Sequence, residues 1–223
     1  MPTIGECLRD AARFFNRYVF SLALLTLPLS IPTNAIIAWL TPSDLSSLTL
    51  QDLLAPMVLS ILAGALSSAA VIYFVAGRIY QQPITISRAY QAALAVYASY
   101  VALSTLETLA VMIGLSALIL PGLFLMTRLS YTGFELLLHR QSVWQAISRS
   151  WQLTGSQQWL LFCGNTSVWF LLNRLSFSIQ QQAPENIGLQ LICSSLESLF
   201  STFCIIFAYR VYDAQLRSTM TGR

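Results

Sequence analysis

Long apolar runs dominate this sequence, and they restrict its fold more than any other feature. Between residues 89 and 138 the only charged side chains are those of Glu107, Arg128 and Glu135. Charged residues make up 9% of the whole chain and hydrophobic residues 56%, whereas a typical soluble domain has roughly 25% charged residues. Because lipid-facing positions of a membrane helix are apolar, this composition predicts an integral membrane protein.

The runs predict an all-α fold, a polytopic transmembrane helix bundle that forms a single membrane domain over residues 1–223. A helix rises about 1.5 Å per residue, so roughly 20 apolar residues cross a hydrocarbon core of about 30 Å. The run from 89 to 138 is too long for one crossing, and we expect a tight hairpin at Pro121 and Gly122 or near Gly114. About six spans follow, at residues 18–40, 55–75, 92–116, 120–138, 158–179 and 189–211.

The segment before the first span predicts an N-terminal amphipathic helix. Apolar residues recur in residues 1–17 at steps of three and four, while Arg9, Arg13 and Arg17 form a row on another face. Two interpretations stay open for this segment. It is either an anchor lying in the membrane interface or a cytoplasmic extension of the first span.

A second interfacial helix is predicted in the middle of the chain, within residues 139–157. Ser142 and Gln145 have the spacing of a capping box, which marks a helix start. The residues expected at the level of the lipid headgroups are Trp144, Arg149 and Trp151.

The distribution of arginine predicts the orientation in the membrane. All 12 basic residues are arginine, and all except Arg128 and Arg174 fall on segments or span ends that six spans place on one side. The opposite loops, residues 41–54 and 180–188, contain none. Because cytoplasmic loops carry an excess of positive charge, the N- and C-termini are predicted to be cytoplasmic.

Three segments of the chain also carry a family resemblance. They read RDAARFFNRYVF, ILPGLFLMTRLSYTGFELLLHRQSVWQAISRSWQLT and FAYRVYDAQL. In this order they resemble the YciC family of bacterial inner-membrane proteins over nearly the whole chain, most specifically in the A-x-x-R-S-W pattern that begins at Ala146. The resemblance implies a multi-pass protein of the bacterial inner (cytoplasmic) membrane without an established biochemical activity, and it transfers no catalytic residue.

Ionisable residues inside predicted spans are the strongest candidates for function. They are costly in hydrocarbon and usually face the bundle interior or water. The candidates are Glu107, Arg128, Glu135, Arg174 and Glu197. Helix rise places Glu107, Arg128 and Glu197 near the middle of the membrane. They either line a substrate or proton path or form an ion pair that fixes helix register.

Small and polar residues mark two further faces. Ser60, Gly64 and Ser68 recur every four residues in the second span, which predicts a stripe that lets another helix approach closely. The fifth span, residues 158–179, is unusually polar. It either lines a pore or bonds to neighbouring helices through its side chains.

Catalytic and metal motifs are absent from the sequence. It has no GxxxxGK, HExxH or GxSxG pattern, and its 4 cysteines and 1 histidine form no CxxC or Cys/His cluster. We therefore expect no enzyme activity, catalytic residue, cofactor or metal. A net charge of +3 is too weak for a nucleic-acid partner.

Two functions remain in consideration. The first is a non-enzymatic inner-membrane factor of the cell envelope that acts on membrane lipids, a membrane-protein partner or a second copy of the chain. The alternative is a small transporter or channel that uses the intramembrane glutamate and arginine residues.

Overall fold

The computed structural model describes residues 4–40, 50–82, 84–155, 158–164, 166–167, 174 and 187–221. Within these ranges the chain is helical and contains no strand. The helices are α1 (Ile4–Leu40), α2 (Leu50–Ile79), α3 (Ile86–Ala95), α4 (Tyr97–Ala117), α5 (Ile119–Arg128), α6 (Thr132–His139), α7 (Val143–Thr154) and α8 (Ile187–Thr221). Residues 158–164 are also helical.

Four helices of the described part are long and apolar enough to cross a membrane. The segments that qualify are Gly5–Leu40, Leu54–Ile79, Tyr97–Ala117 and Leu191–Arg217. Four helices have the length and composition of membrane spans, and the all-helical prediction is confirmed for the described residues. The prediction of about six spans is not, because most of residues 158–179 and the loops 41–49 and 180–186 lie outside the described residues.

The N-terminal segment is joined to the first span through a kink and packs against the end of α8. Helical dihedrals are interrupted at Tyr18 (φ −117°, ψ 15°), where the span was predicted to begin. Before this point Ala11 and Phe14 are buried, and the Arg210 guanidinium lies 5.5 Å from the Phe14 ring centre. The beginning of α1 and the end of α8 therefore lie at the same end of the bundle.

The third predicted span starts later than expected. Thr85 caps α3, accepting a hydrogen bond from the Arg88 N–H at 3.4 Å, and α3 ends at Ala95. Val96 leaves helical geometry (φ −117°, ψ 12°), and α4 starts at the next residue. The Tyr97 hydroxyl then donates to the Leu62 carbonyl at 2.9 Å, which joins α4 to α2.

The hairpin after α4 is confirmed. Leu118 is extended and separates α4 from α5. A Cβ atom on Gly114 would lie 2.8 Å from the Gly122 Cα atom, so only glycine allows the two helices to come this close.

Residues 120–138, which were predicted as the fourth span, do not form one continuous helix. A turn at residues 129–131 separates α5 from α6. Ser150 of α7 supplies the physical reason, because its hydroxyl donates to the Arg128 carbonyl at 2.7 Å and accepts from the Tyr131 N–H at 3.2 Å. A neighbouring side chain thus satisfies the backbone groups that the break leaves free.

The interfacial helix predicted in the middle of the chain is α7, and its capping box at Ser142 and Gln145 is present. Its small residues Ala146, Ser150 and Thr154 are buried. Helix α7 therefore packs against α5, α6 and the turn between them through these residues.

A cluster of aromatic rings fills the end of the bundle where α6 meets α8. The Phe134 ring centre lies 5.2 Å from that of Tyr209 and 5.4 Å from that of Tyr212, and Tyr131 is 5.1 Å from Tyr212. These separations are typical of edge-on and tilted ring pairs, which add stability to the area they bury.

Candidate functional site

A cavity of about 170 Å³ lies between α1, α2 and α8, in the part of each helix that is apolar enough to cross a membrane. Its walls are mainly side chains that carry a hydroxyl or amide group and no charge. They are Thr26, Ser30, Thr33, Asn34, Ser60, Ser67, Ser68, Ser198, Ser201 and Thr202, with Ala63, Gly64, Val71 and Ile205 completing the wall. We call this space the hydroxyl cavity.

Three of these hydroxyl groups are satisfied by hydrogen bonds within their own helices. The hydroxyls of Thr26, Ser67 and Thr202 each donate, at 3.0 Å, to the carbonyl four residues earlier in the same helix. Such a bond uses the hydroxyl hydrogen and leaves oxygen lone pairs free to accept. These three hydroxyl groups therefore need no partner from another helix.

A second cavity, of about 270 Å³, adjoins the first and shares Ser68, Ser201 and Ile205 with it. Its other lining residues are Ile72, Tyr100, Glu107, Val111, Met126, Leu129, Ser130, Thr132, Gly133, Phe134, Cys204 and Ala208. We call it the Glu107 cavity, because Glu107 is the acidic residue among those that line it. The two cavities therefore lie next to each other beside α8.

Glu107 is held in place by Thr132, the first residue of α6. The Thr132 hydroxyl hydrogen-bonds to Glu107 Oε1 and lies 2.6 Å from the Leu129 carbonyl oxygen. Tyr100, which belongs to the same helix α4, is 7% exposed and lines the same cavity. Among the described residues that line it, none is basic.

Arg128 lies on the other side of α5 and lines neither cavity. Its guanidinium is 5.3 Å from the Phe124 ring centre and 5.2 Å from that of Trp151, and it donates to the Trp151 carbonyl at 2.9 Å. The arginine therefore joins α5 to α7 through ring faces and a backbone oxygen.

The structure does not bring the three mid-membrane candidates together. Within the described ranges no ion pair joins any two of Glu107, Arg128 and Glu197. Glu197 is exposed on α8, outside both cavities. Arg174 is exposed, and its sequence neighbours lie outside the described residues.

Glu135 is buried among polar partners at the end of the bundle. Its side chain is 1% exposed, accepts a hydrogen bond from the Tyr212 hydroxyl at 2.8 Å and lies 3.6 Å from the Arg149 guanidinium. The His139 Nε2 atom is 3.0 Å from the same Tyr212 hydroxyl. Arg149, predicted to be interfacial, thus also pairs with a buried carboxylate.

Among the described residues, no helix makes the close approach that was predicted at Gly64. No described atom lies within 4 Å of a Cβ atom built on Gly64. Ser60, Gly64 and Ser68 line the hydroxyl cavity instead, because their shared face points into the space between three helices.

The other predicted interfacial residues lie on the surface. Arg9, Arg13 and Arg17 are exposed on α1. Trp144 is 72% exposed and Trp151 is 42% exposed on α7.

One tyrosine joins the short helix α3 to α1. The Tyr90 hydroxyl donates to the Leu25 carbonyl, and burial raises the pKa of this phenol above its ordinary value. Tyr90 therefore acts as a neutral hydrogen-bond donor, since burial disfavours its charged form.

A metal site would need several ligands close together. Among the described residues, no group of three or more His, Cys, Asp or Glu side chains is placed to hold a metal ion in this way. A site built on one carboxylate and neutral oxygens is a different case, and the Glu107 cavity has that composition.

The sequence contained a signal for the hydroxyl cavity that charge-based reasoning did not use. On α1, Thr26, Ser30 and Thr33 follow helical steps of four and three, which places them on one face. Similar steps relate Ser198, Ser201 and Thr202 on α8. Tyr100 and Thr132 gave no such signal, because only the packing of α4 against α6 brings them to Glu107.

Comparison with known proteins adds no relative. No protein-family model matches the chain, and searches of curated proteins and of solved structures find no match.

Proposed function

We propose that this protein is a non-enzymatic, multi-pass factor of the bacterial inner membrane that binds anionic lipid headgroups at its arginine-rich end. The observation that carries the proposal is the concentration of exposed arginines at the end of the bundle where α1 begins and α8 ends. They are Arg9, Arg13, Arg17, Arg88, Arg140, Arg149 and Arg217. We name this surface the arginine end.

Chemistry and position both support headgroup binding there. Guanidinium groups are always charged and bind phosphate in a bidentate manner. Basic side chains next to a membrane surface gain roughly 1 kcal/mol each from anionic lipid. The exposed indole of Trp144 suits the same interfacial level.

The expected orientation follows from the same charges. An excess of arginine marks the cytoplasmic side, so we place both termini in the cytoplasm. Fusions of green fluorescent protein to either end should fluoresce, and a cysteine introduced in residues 41–49 should react with an impermeant reagent from outside.

Headgroup binding is tested by replacing Arg9, Arg13 and Arg17 together with glutamine. The wild-type protein in detergent should melt at a higher temperature with phosphatidylglycerol than with phosphatidylcholine, and the glutamine variant should lose this difference. Replacing the same three residues with lysine keeps the positive charge, so this variant should keep most of the difference in melting temperature between the two lipids. Equal stabilisation of the wild type by both lipids would contradict the proposal.

A second candidate function, a small transporter or channel, is favoured by the two adjoining cavities. Their walls place hydroxyl groups and a carboxylate within helices that are apolar enough to span a membrane. Water access is the test. In a cysteine-free background, Ser67→Cys should react with a membrane-impermeant maleimide, whereas Phe20→Cys on the exposed apolar surface of α1 should not.

A further inference from the structure

Glu107 has no positive partner among the described side chains around it. It is placed on α4, one of the helices apolar enough to cross a membrane, and the Glu107 cavity is lined by no described basic side chain. A carboxylate away from bulk water is costly unless a counter-charge or a proton neutralises it. The cavity therefore has a requirement for positive charge that the described residues do not meet.

The remaining polar groups of the cavity are oxygens. Hydroxyl groups of Tyr100, Ser130 and Thr132 line it together with Glu107. The Ser130 hydroxyl donates to the Met126 carbonyl at 2.9 Å. A set of carboxylate and neutral oxygens is the ligand type that hard cations prefer.

The number of charges selects the kind of cation. One carboxylate balances one positive charge, so a monovalent ion leaves the cavity neutral, whereas a divalent ion leaves an excess charge in a poorly solvated space. The volume of about 270 Å³ has room for an ion with part of its hydration shell, since a water takes up about 30 Å³. The adjoining hydroxyl cavity offers further neutral oxygens that replace lost hydration.

We propose that Glu107 and the hydroxyl groups around it form a binding site for a monovalent alkali-metal cation. The carboxylate supplies the charge, and Thr132 orients it through its hydrogen bond. This site goes beyond headgroup binding and does not depend on it, because no residue of the arginine end lines the cavity.

Thermal stability of the full chain in nanodiscs of zwitterionic lipid tests the site. Sodium or potassium chloride is titrated against N-methylglucamine chloride at constant ionic strength, so that screening does not change. An ion that binds only the folded state should raise the melting temperature in a saturable way, by roughly 5–11 °C at about 100 times its dissociation constant.

Substitutions assign the effect to Glu107. Glu107→Gln should abolish the cation-dependent shift. Glu197→Gln, the same change at an exposed carboxylate of α8 outside both cavities, should keep it. Thr132→Val should raise the dissociation constant several-fold, and Thr132→Ser should leave it close to wild type, which provides a test even if Glu107→Gln does not fold.

Three results would overturn the proposal. The first is a wild-type melting temperature that does not depend on sodium or potassium, as expected if Glu107 is simply protonated. The second is a folded Glu107→Gln or Thr132→Val protein with an unchanged cation dependence. The third is a saturable response to calcium alone. None of these results affects the phosphatidylglycerol test of the arginine end.

Discussion

Removing one hydroxyl group, in Ser150→Ala, should destabilise the protein more than its small size suggests. Ser150 is fully buried, and its hydroxyl connects the two backbone groups that the break between α5 and α6 leaves without helical partners. Alanine fits the same space but neither donates nor accepts. The substitution therefore isolates the contribution of these hydrogen bonds.

The size of the expected loss of stability follows from the hydrogen bonds that remain after the substitution. The Arg128 carbonyl loses its bond of 2.7 Å, because the Thr154 hydroxyl 3.4 Å away already donates to the Ser150 carbonyl at 2.8 Å. The Tyr131 N–H loses the bond of 3.2 Å that it makes to Ser150. One buried donor left unsatisfied costs about 1–3 kcal/mol. For a chain of this size that lowers the melting temperature by roughly 2–12 °C.

Thermal unfolding in detergent, followed by the intrinsic fluorescence of the 5 tryptophans, measures the effect. Ser148→Ala is the matched control, because Ser148 is exposed on the same helix, and surface changes usually stay within about 0.5 kcal/mol. If Ser150→Ala melts together with Ser148→Ala, Ser150 does not stabilise the break and our explanation of it is wrong.

Two other matched pairs test packing and buried polarity. Gly114→Ala should lower the melting temperature, because the added Cβ atom would lie 2.8 Å from the Gly122 Cα atom. Gly64→Ala, the control, should be tolerated, since no described atom lies within 4 Å of its Cβ atom. Equal melting temperatures of the two variants would contradict the close approach at the hairpin. Tyr212→Phe should destabilise by about 1.5–3 kcal/mol through loss of a hydrogen bond to a buried carboxylate. Tyr131→Phe should be neutral or stabilising in the same unfolding assay, since the Tyr131 hydroxyl is buried without a hydrogen-bond partner among the described residues.

The features predicted correctly from the sequence are those set by local pattern. Length and hydropathy identify the apolar parts of α1, α2 and α8, because any helix of that composition has to be surrounded by other apolar groups. The predicted start of the first span at Tyr18 coincides with the interruption of helical dihedrals in α1. The capping box at Ser142 and Gln145 and the hairpin near Gly114 are likewise determined by a few neighbouring residues.

The broken fourth span was missed because its cause is distant in the sequence. Residues 123–138 contain neither proline nor a pair of glycines to mark an interruption. The compensating hydroxyl belongs to Ser150, about 20 residues beyond the break, and reaches it only because α7 packs against α5 and α6. Sequence pattern records the period of each helix but not which helix it packs against.

Depth in the membrane was also an insufficient guide to pairing. Equal depth suggested that Glu107, Arg128 and Glu197 meet, but depth does not give the direction in which each side chain points. Arg128 contacts ring faces and a carbonyl of α7, and Glu107 contacts a hydroxyl of α6. A carbonyl or a hydroxyl can supply the hydrogen bond that a counter-ion would supply, although it does not neutralise the charge, so charge alone could not identify the contacts.

Hydroxyl groups fall into two classes that substitution should separate. Ser150 bonds to backbone groups that have no alternative partner, so its loss should reduce stability. Thr26 and Ser67 donate to carbonyls that are already bonded within their own helices, so their loss should cost little stability. Changes at Thr26 or Ser67 that leave folding intact but alter what enters the hydroxyl cavity would support a binding role for it. A loss of stability equal to that of Ser150→Ala would instead make the cavity wall part of the structural framework.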